Sequence, residues 1–448
     1  MVMAQRPEVA TAAHPIAAVD AIGLGQQMAN ALIRVPFRRP LHGTSGMLHN
    51  LGQNITREVV RTFMGYSSSL PIEEFRSIEH GLDWLSRIAM APVVALEGVV
   101  AIDDVIGGVP GIRYRPKHEE PIGHILYLHG GGYVGTSPNM YAFFTARLAA
   151  VTQCEVFVAD YRLAPEFPFP AGLHDAVSVL EAMLENGCDP STLFIAGDSG
   201  GGGLATSLIY HDHAAHLPEV GGLLLFSPEI DLRLDHPSVT DNAPHDILPW
   251  NIPTSAYLHG EAAASAAVSA LDQDVTTWPP VFLTWGSHEM FRDSIRLLLE
   301  HLEEAGVPTT GEEADGMFHV YPILMPWADH SRRVYRDMGE FVRVQVTKAS
   351  SDRTEVARRT RHAADALGPV DEDAAPMTVT TSPRRPARRT AAKKAPATRT
   401  TATRTTTNRR GSNGATANGT AKQTASKKAV SKEAAPKKAA ARQATRSS

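Results

Sequence analysis

Thr192-Leu193-Phe194-Ile195-Ala196-Gly197-Asp198-Ser199-Gly200-Gly201 is the stretch on which the fold turns. Its first five residues are mostly apolar and predict a strand over Thr192–Ala196. Gly197 to Gly201 then fits G-x-S-x-G, and a helical pattern over Gly201–His213 opens at once. A strand that runs through a glycine-flanked serine into a helix is the context a nucleophile elbow requires. The sharp turn forces the serine into strained φ/ψ, and small neighbours avoid clashes. The hydroxyl is left at a helix N-terminus, whose partial positive charge favours a developing anion.

Outward from this stretch, short apolar strands alternate with amphipathic helices. Strands are expected at His124–Leu128, Glu155–Ala159, Gly222–Phe226 and Val281–Trp285, and helices at Met140–Thr152, Ala171–Asn186 and Phe291–Ala305, with a last helix from about His330 to Val346. Such alternation reads as βαβ units in a mostly parallel sheet flanked by helices, an α/β fold. The run Leu223-Leu224-Leu225-Phe226 suits a sheet covered on both faces. Gly-Asp-Ser-Gly-Gly also occurs in trypsin-like proteases, but those all-β enzymes place the base histidine before the serine. Here Gly202 also stands where that family has proline.

His129-Gly130-Gly131-Gly132-Tyr133 follows the strand His124–Leu128 directly. Three glycines let the backbone approach a substrate with free N–H groups, as an oxyanion hole demands. The alternative, a plain glycine turn, is disfavoured by its place at a strand end about seventy residues before the elbow.

With the elbow, this loop resembles the hormone-sensitive-lipase group of α/β-hydrolases. Asp160-Tyr161-Arg162-Leu163-Ala164-Pro165-Glu166, Phe167-Pro168-Phe169-Pro170-Ala171 leading to Asp175, and Ser227-Pro228 leading to Asp231 match further signatures of that group. The resemblance covers roughly residues 100–345. It implies the α/β-hydrolase fold with a helical cap, hydrolysis of carboxylic esters, and no cofactor or metal. It also implies oxyanion donors at the N–H groups of Gly131, Gly132 and Gly200, with His129 bracing the loop. Gly200 and Gly203 stand where the family usually has alanine and asparagine, and Glu289 where it usually has aspartate.

The acid lies in Gly286-Ser287-His288-Glu289-Met290-Phe291-Arg292-Asp293, where Glu289 is the first choice and Asp293 the second. Either can orient and stabilise an imidazolium. Of 19 histidines, His319 in Gly316-Met317-Phe318-His319-Val320 falls downstream of the acid, giving the order serine, acid, histidine. Its unperturbed pKa of about 6.5 suits proton transfer near neutrality. Ser199, Glu289 and His319 are the expected catalytic residues. Asp198 reads as a turn-satisfying group. Asp160, Arg162 and Glu166 read as a structural network. His211, His213 and His216 are expected at an exposed helix end rather than on a metal. Trp250 and Tyr257 are expected to line an acyl pocket or to pack the cap.

The formal net charge of −5 hides an asymmetry. Residues 374–448 hold 18 Lys and Arg against the single acid Glu433, or +17, leaving 25 basic and 47 acidic residues, or −22, for residues 1–373. The tail resembles bacterial histone-like tails. Almost without large apolar side chains, it is expected to be disordered. Its partners would be nucleic acid, an anionic surface or the acidic body, and a solubilising tail with no fixed partner stands equal to these. Without aromatics it does not suggest base stacking.

The expected organisation is a disordered N-terminus (1–20), a helical cap region (21–102), the hydrolase core (103–347) with a cap insertion at about 232–277, a linker (348–373) and the basic tail (374–448). Two cysteines, Cys154 and Cys188, are too few for a disulfide framework and fit a reducing compartment. No secretory signal or spanning segment is read, so a cytoplasmic protein is expected, with peripheral contact at a membrane or the cell envelope left open. A lactonase or a small-molecule deacetylase on the same scaffold is an alternative function. Another is a non-catalytic binding protein that works through its tail.

Overall fold

The computed structural model describes residues 18–35, 46–211, 218–248, 252 and 254–366. Eight strands form one sheet: β1 (Val99–Ile106), β2 (Val109–Pro116), β3 (His124–Leu128), β4 (Glu155–Ala159), β5 (Leu193–Asp198), β6 (Gly222–Phe226), β7 (Val281–Gly286) and β8 (Thr309–Ala314). Their order is β1-β2-β4-β3-β5-β6-β7-β8. β1 and β2 pair antiparallel and β2 joins β4 antiparallel, while every pair from β4 to β8 is parallel.

The expected parallel strands are present. Because their side chains point alternately to opposite faces, each strand feeds two cores. On one face Leu126, Leu128, Leu223 and Leu225 pack with side chains of α5 (Ala171–Glu185), α6 (Ser199–Tyr210) and α9 (Arg292–Glu304). On the other, Ile125, Tyr127, Leu224 and Phe226 pack with α3 (Ile72–Leu96), α4 (Ala142–Thr152) and α11 (Asp329–Ala366). Both faces are dry, which is why these strands read as unbroken apolar runs.

Three features differ from the sequence reading. The region expected to be helical to residue 102 ends its helices at Leu96, after α1 (Ala18–Arg34), α2 (Met47–Ser67) and α3. The hairpin β1–β2 follows instead, turning through Gly107 and Gly108 at φ 59° and 79°. Two adjacent residues at positive φ suit the two-residue turn of a twisted hairpin, and glycine supplies them without strain. β1 is an edge strand with mostly exposed side chains, so its apolar content is too low to announce it.

The last helix runs to Ala366 rather than stopping near Val346, so most of the expected linker is helical. Beyond Val346 it no longer needs an apolar stripe, because residues such as Lys, Arg, Glu and Ala propagate a nucleated helix by intrinsic preference. The expected disordered N-terminus also loses its last residues, Ala18 to Asp20, to α1. Residues 1–17 and the basic tail lie outside the described residues.

The insertion between β6 and β7 contains α7 (Pro237–Asp241) and α8 (Thr254–Leu258). The N-terminal helices are fastened to the core by Arg76 of α3. Its guanidinium donates to both carboxylate oxygens of Glu166 at 2.9 and 2.7 Å, to Glu79 at 2.7 Å, and to the carbonyls of Val134 and Ala164 at 2.6 and 2.8 Å. Arg162 pairs with Asp175 at 2.9 Å. No described helix is long and apolar enough to cross a membrane. Both cysteines are free.

Candidate active site

β5 ends at Asp198 and α6 starts at Ser199, whose φ of 49° is left-handed. The turn is tight because Gly197 lies on the backbone of Gly201, and Gly201 on the backbone of Leu128 and His129, with no room for a Cβ at either glycine. The Ser199 N–H donates to the Ser227 carbonyl at 3.2 Å, and its own carbonyl accepts from Glu229 N–H at 2.8 Å. Both ends of the strained residue are therefore held, which is what lets such backbone persist.

His319 follows β8 and carries Nε2 to 2.9 Å from Ser199 Oγ. Its Nδ1 lies 3.3 Å from Glu289 Oε2, which follows β7. Asp293, the second choice of acid, is engaged elsewhere: it accepts from Arg292 Nε at 2.8 Å and from Ser238 N–H at 2.9 Å. Burial pushes the His319 pKa below the usual histidine value, opposed by Asp246 and Asp198, so the resting imidazole is neutral and able to accept a proton. Burial pushes the Glu289 carboxyl up, opposed by Ser227 and the Gly286 backbone. Phe291 meets the imidazole edge-on at 5.1 Å.

The glycine loop stands opposite the elbow. Gly131, Gly132 and Tyr133 all have positive φ, at 115°, 60° and 62°. The Gly131 carbonyl accepts from Val134 and Gly135 N–H at 3.1 and 3.0 Å, closing the turn. A Cβ on Gly200 would fall 2.9 Å from the Tyr133 nitrogen and 3.2 Å from the Gly132 nitrogen, so the loop's amides lie against the start of α6. The first N–H groups of a helix have no intrahelical partner, which leaves the Gly200 amide available. His129 Nδ1 is 2.9 Å from Thr136 Oγ1 and 3.0 Å from the Gly130 carbonyl, and its ring stacks on Tyr161 at 4.5 Å. Burial lowers its pKa to about 4, so it stays neutral.

Asp198 does not satisfy its own turn, since its side chain makes no capping bond to α6. Fully buried, it accepts from Tyr127 Oη at 2.7 Å, Gly130 N–H at 2.9 Å and Tyr141 Oη at 2.8 Å. Asp246 has no sequence signal of its own, yet it accepts the backbone N–H of His319 at 3.0 Å and of Met290 at 2.7 Å.

Tyr257 is buried and stacks on Tyr133 with ring centroids 3.8 Å apart. Trp250, His213 and His216 lie outside the described residues. His211 meets His174 edge-on at 6.1 Å. Among the described residues Asp231, Asp235 and His236 bring three metal-ligating side chains together, but Asp231 is already bonded by Arg233 at 2.7 Å and His236 at 2.9 Å.

This arrangement is that of a serine hydrolase: a hydroxyl on a strained turn, an imidazole against it, a carboxyl behind, and glycine amides across. Comparisons agree. A family model described as the alpha/beta hydrolase fold matches residues 125–323. An acetyl-hydrolase of Streptomyces hygroscopicus is 34% identical over 49% of this chain and 75% of its own length. An esterase of Acinetobacter venetianus is 31% identical over 48% and 73%. A carboxylesterase of Mycobacterium tuberculosis is 30% identical over 47% and 70%. Among solved structures, an esterase/lipase from an uncultured bacterium superposes with TM-score 0.60 at 26% identity, covering 68% of this chain and all of that one. A hormone-sensitive lipase from a metagenome library gives 0.56 at 28%, covering 64% and 99%. The chain belongs to the α/β-hydrolase-fold family, among its hormone-sensitive-lipase-like esterases.

Proposed function

We propose that the protein is a carboxylesterase that works through an acyl-enzyme, with Ser199 as nucleophile, His319 as general base and Glu289 as the acid. The observation that carries this reading is the chain of contacts from Ser199 Oγ through His319 to Glu289. His319 takes the hydroxyl proton as Ser199 attacks the ester carbonyl. The oxyanion forms against the N–H groups of Gly131, Gly132 and Gly200. His319 then protonates the leaving alcohol, and a water activated by the same imidazole hydrolyses the acyl-enzyme. Glu289 holds the tautomer and stabilises the imidazolium. His129, neutral and stacked, keeps the glycine loop in place.

The name acetyl-hydrolase carried by a 34%-identical relative makes acetyl esters the first substrates to test. The test compares p-nitrophenyl esters from acetate to palmitate with wild type and Ser199→Ala. A drop in kcat of about 10⁶-fold in the variant is expected. Undiminished turnover would remove Ser199 from the mechanism. The chain-length profile sizes the acyl pocket, and the same panel extended to lactones and N-acetyl amides separates the alternative activities.

A second reading concerns where the ester is met. Trp84, Leu85, Ile88 and Leu96 of α3 are exposed, with Val105 on the neighbouring edge strand. Such a row favours a lipid–water surface in a protein acting peripherally on it from the cytoplasm. Co-flotation with anionic vesicles that survives Trp84→Glu would overturn it.

A further inference from the structure

Some side chains of the segment between β6 and β7 reach the backbone of the loops that carry Glu289 and His319. Asn242 donates to the carbonyls of Glu289 at 2.9 Å and Ser287 at 3.2 Å. Asp246 is fully buried, and both of its oxygens are used. Oδ1 accepts from Ile247 N–H at 2.7 Å and His319 N–H at 3.0 Å, and Oδ2 accepts from Met290 N–H at 2.7 Å. One carboxylate thus grips the base's own backbone and that of the residue beside the acid. From the other side, Arg61 of α2 donates to the carbonyls of Ala243 and, at 2.8 Å, Asp246.

The contact between the acid and base side chains is long. At 3.3 Å it exceeds the usual range of about 2.7–3.2 Å for N–H···O, so it fixes the ring less firmly than a short bond would. Three N–H donors converge on the two oxygens of Asp246. An asparagine offers one acceptor oxygen and would turn N–H against N–H at the other position. A neutral side chain therefore does not replace this carboxylate.

We infer that Asp246 is a positioning residue of the catalytic centre: it fixes the backbones of His319 and Met290 together and places a second negative charge beneath the imidazole. The inference rests on the proposed role of His319 as base. The charged groups that act on the pair are Asp198 from the elbow and Glu289 from the loop after β7. His245 and His288 stand further out, and on them act Arg57 and Arg61 from α2, Arg292, and Asp315 after β8. Asp246 and Asp198 both push the His319 pKa up against the effect of burial. Removing the first charge lowers it further and leaves the base weaker.

The experiment uses the full-length chain with Asp246→Asn, Asp246→Ser and Arg61→Met. The imidazole of His319 is titrated by ¹⁵N NMR, its signal assigned by loss in His319→Ala. In parallel, kcat and KM for p-nitrophenyl acetate are followed against pH, with Tm as a check on folding. In Asp246→Asn and Asp246→Ser the His319 titration is expected to move down by about 1 unit. The acidic limb of kcat/KM should follow it, with kcat lower by about 30-fold or more and KM within about threefold. Arg61→Met keeps the charge, so it should lower kcat several-fold without moving the titration. Folded Asp246 variants with an unmoved titration and kcat within twofold of wild type would overturn the inference, even with a lower Tm. If both Asp246 variants fail to fold, unchanged kcat in Arg61→Met overturns it and a several-fold loss supports it. A downward shift in a protein that turns over no ester would leave the inference standing and remove the esterase reading instead.

Discussion

Asp198 Oδ1 accepts the backbone N–H of Gly130 at 2.9 Å, so a single buried carboxylate ties the turn bearing Ser199 to the loop that faces it. Two elements separated by 68 residues in sequence share one anchor. Replacing Asp198 by alanine leaves the hydroxyls of Tyr127 and Tyr141 without this acceptor and the Gly130 amide with Tyr141 Oη alone, at 3.0 Å. The expected cost is about 2–4 kcal/mol in denaturant unfolding, because each stranded buried donor loses a charge-assisted bond. Turnover of a short ester should fall more than tenfold as the glycine amides lose their register. A variant as stable as wild type would show that the three donors find another acceptor.

Glu289 and Asp293 differ in what holds them, and this ranks their replacements. Glu289→Gln is expected to lower kcat by about 10³–10⁴-fold through loss of the correct tautomer. Asp293→Asn should stay within about threefold of wild type, since its partners are Arg292 and the start of α7. Steady-state kinetics on both variants, with Tm measured alongside, decides. The reverse ranking would transfer the acid's role to Asp293.

Glu229 is fully buried and its Oε1 has no hydrogen-bond partner, so burial pushes its carboxyl up to about 8. The folded-state pKa lies above the unfolded value. Its contribution to stability is therefore complete below about pH 4.5 and lost as pH rises through about 8. Glu229→Gln removes the ionisation while keeping the shape. Its Tm should exceed that of wild type increasingly from about pH 5 to 8 and by a constant margin above that. Parallel Tm curves for the two proteins over that interval would show that the carboxylate is solvated.

Arg76 holds two carboxylates and two carbonyls at once. Arg76→Met strands Glu79 and Glu166 and should cost about 3–5 kcal/mol at pH 8. Burial already pushes Glu79 up to about 7, and loss of the guanidinium pushes it further. Protonation then relieves the variant, so its deficit should shrink on going from pH 8 to 5. Unfolding measured at both pH values tests this, and a pH-independent deficit would place the loss in packing instead.

Much of this architecture is legible in the sequence. The five apolar strands, the elbow and the glycine loop are local patterns, each with its own period or turn chemistry. β1 escaped because an edge strand with exposed side chains carries no alternation strong enough to compete with the helical run before it, although Gly107-Gly108 marked the hairpin. The sequence pattern predicts too short a last helix because the second half of α11 has only intrinsic preference to declare it. Asp246 and Arg76 were out of reach for a different reason. Each matters through partners more than 40 residues away, and no spacing within the chain distinguishes an acid that will accept two distant backbone amides from one that will face water.

The serine and histidine are 120 residues apart, and the histidine and glutamate 30, with crossovers of the parallel sheet between them. No fragment of the chain holds a working site, and no local folding event creates one. During refolding, helical circular dichroism should therefore return well before turnover does. Contacts of such long sequence separation form late, because their loop-closure entropy must be met first. Activity in this protein is in effect a clock for the last step of sheet assembly.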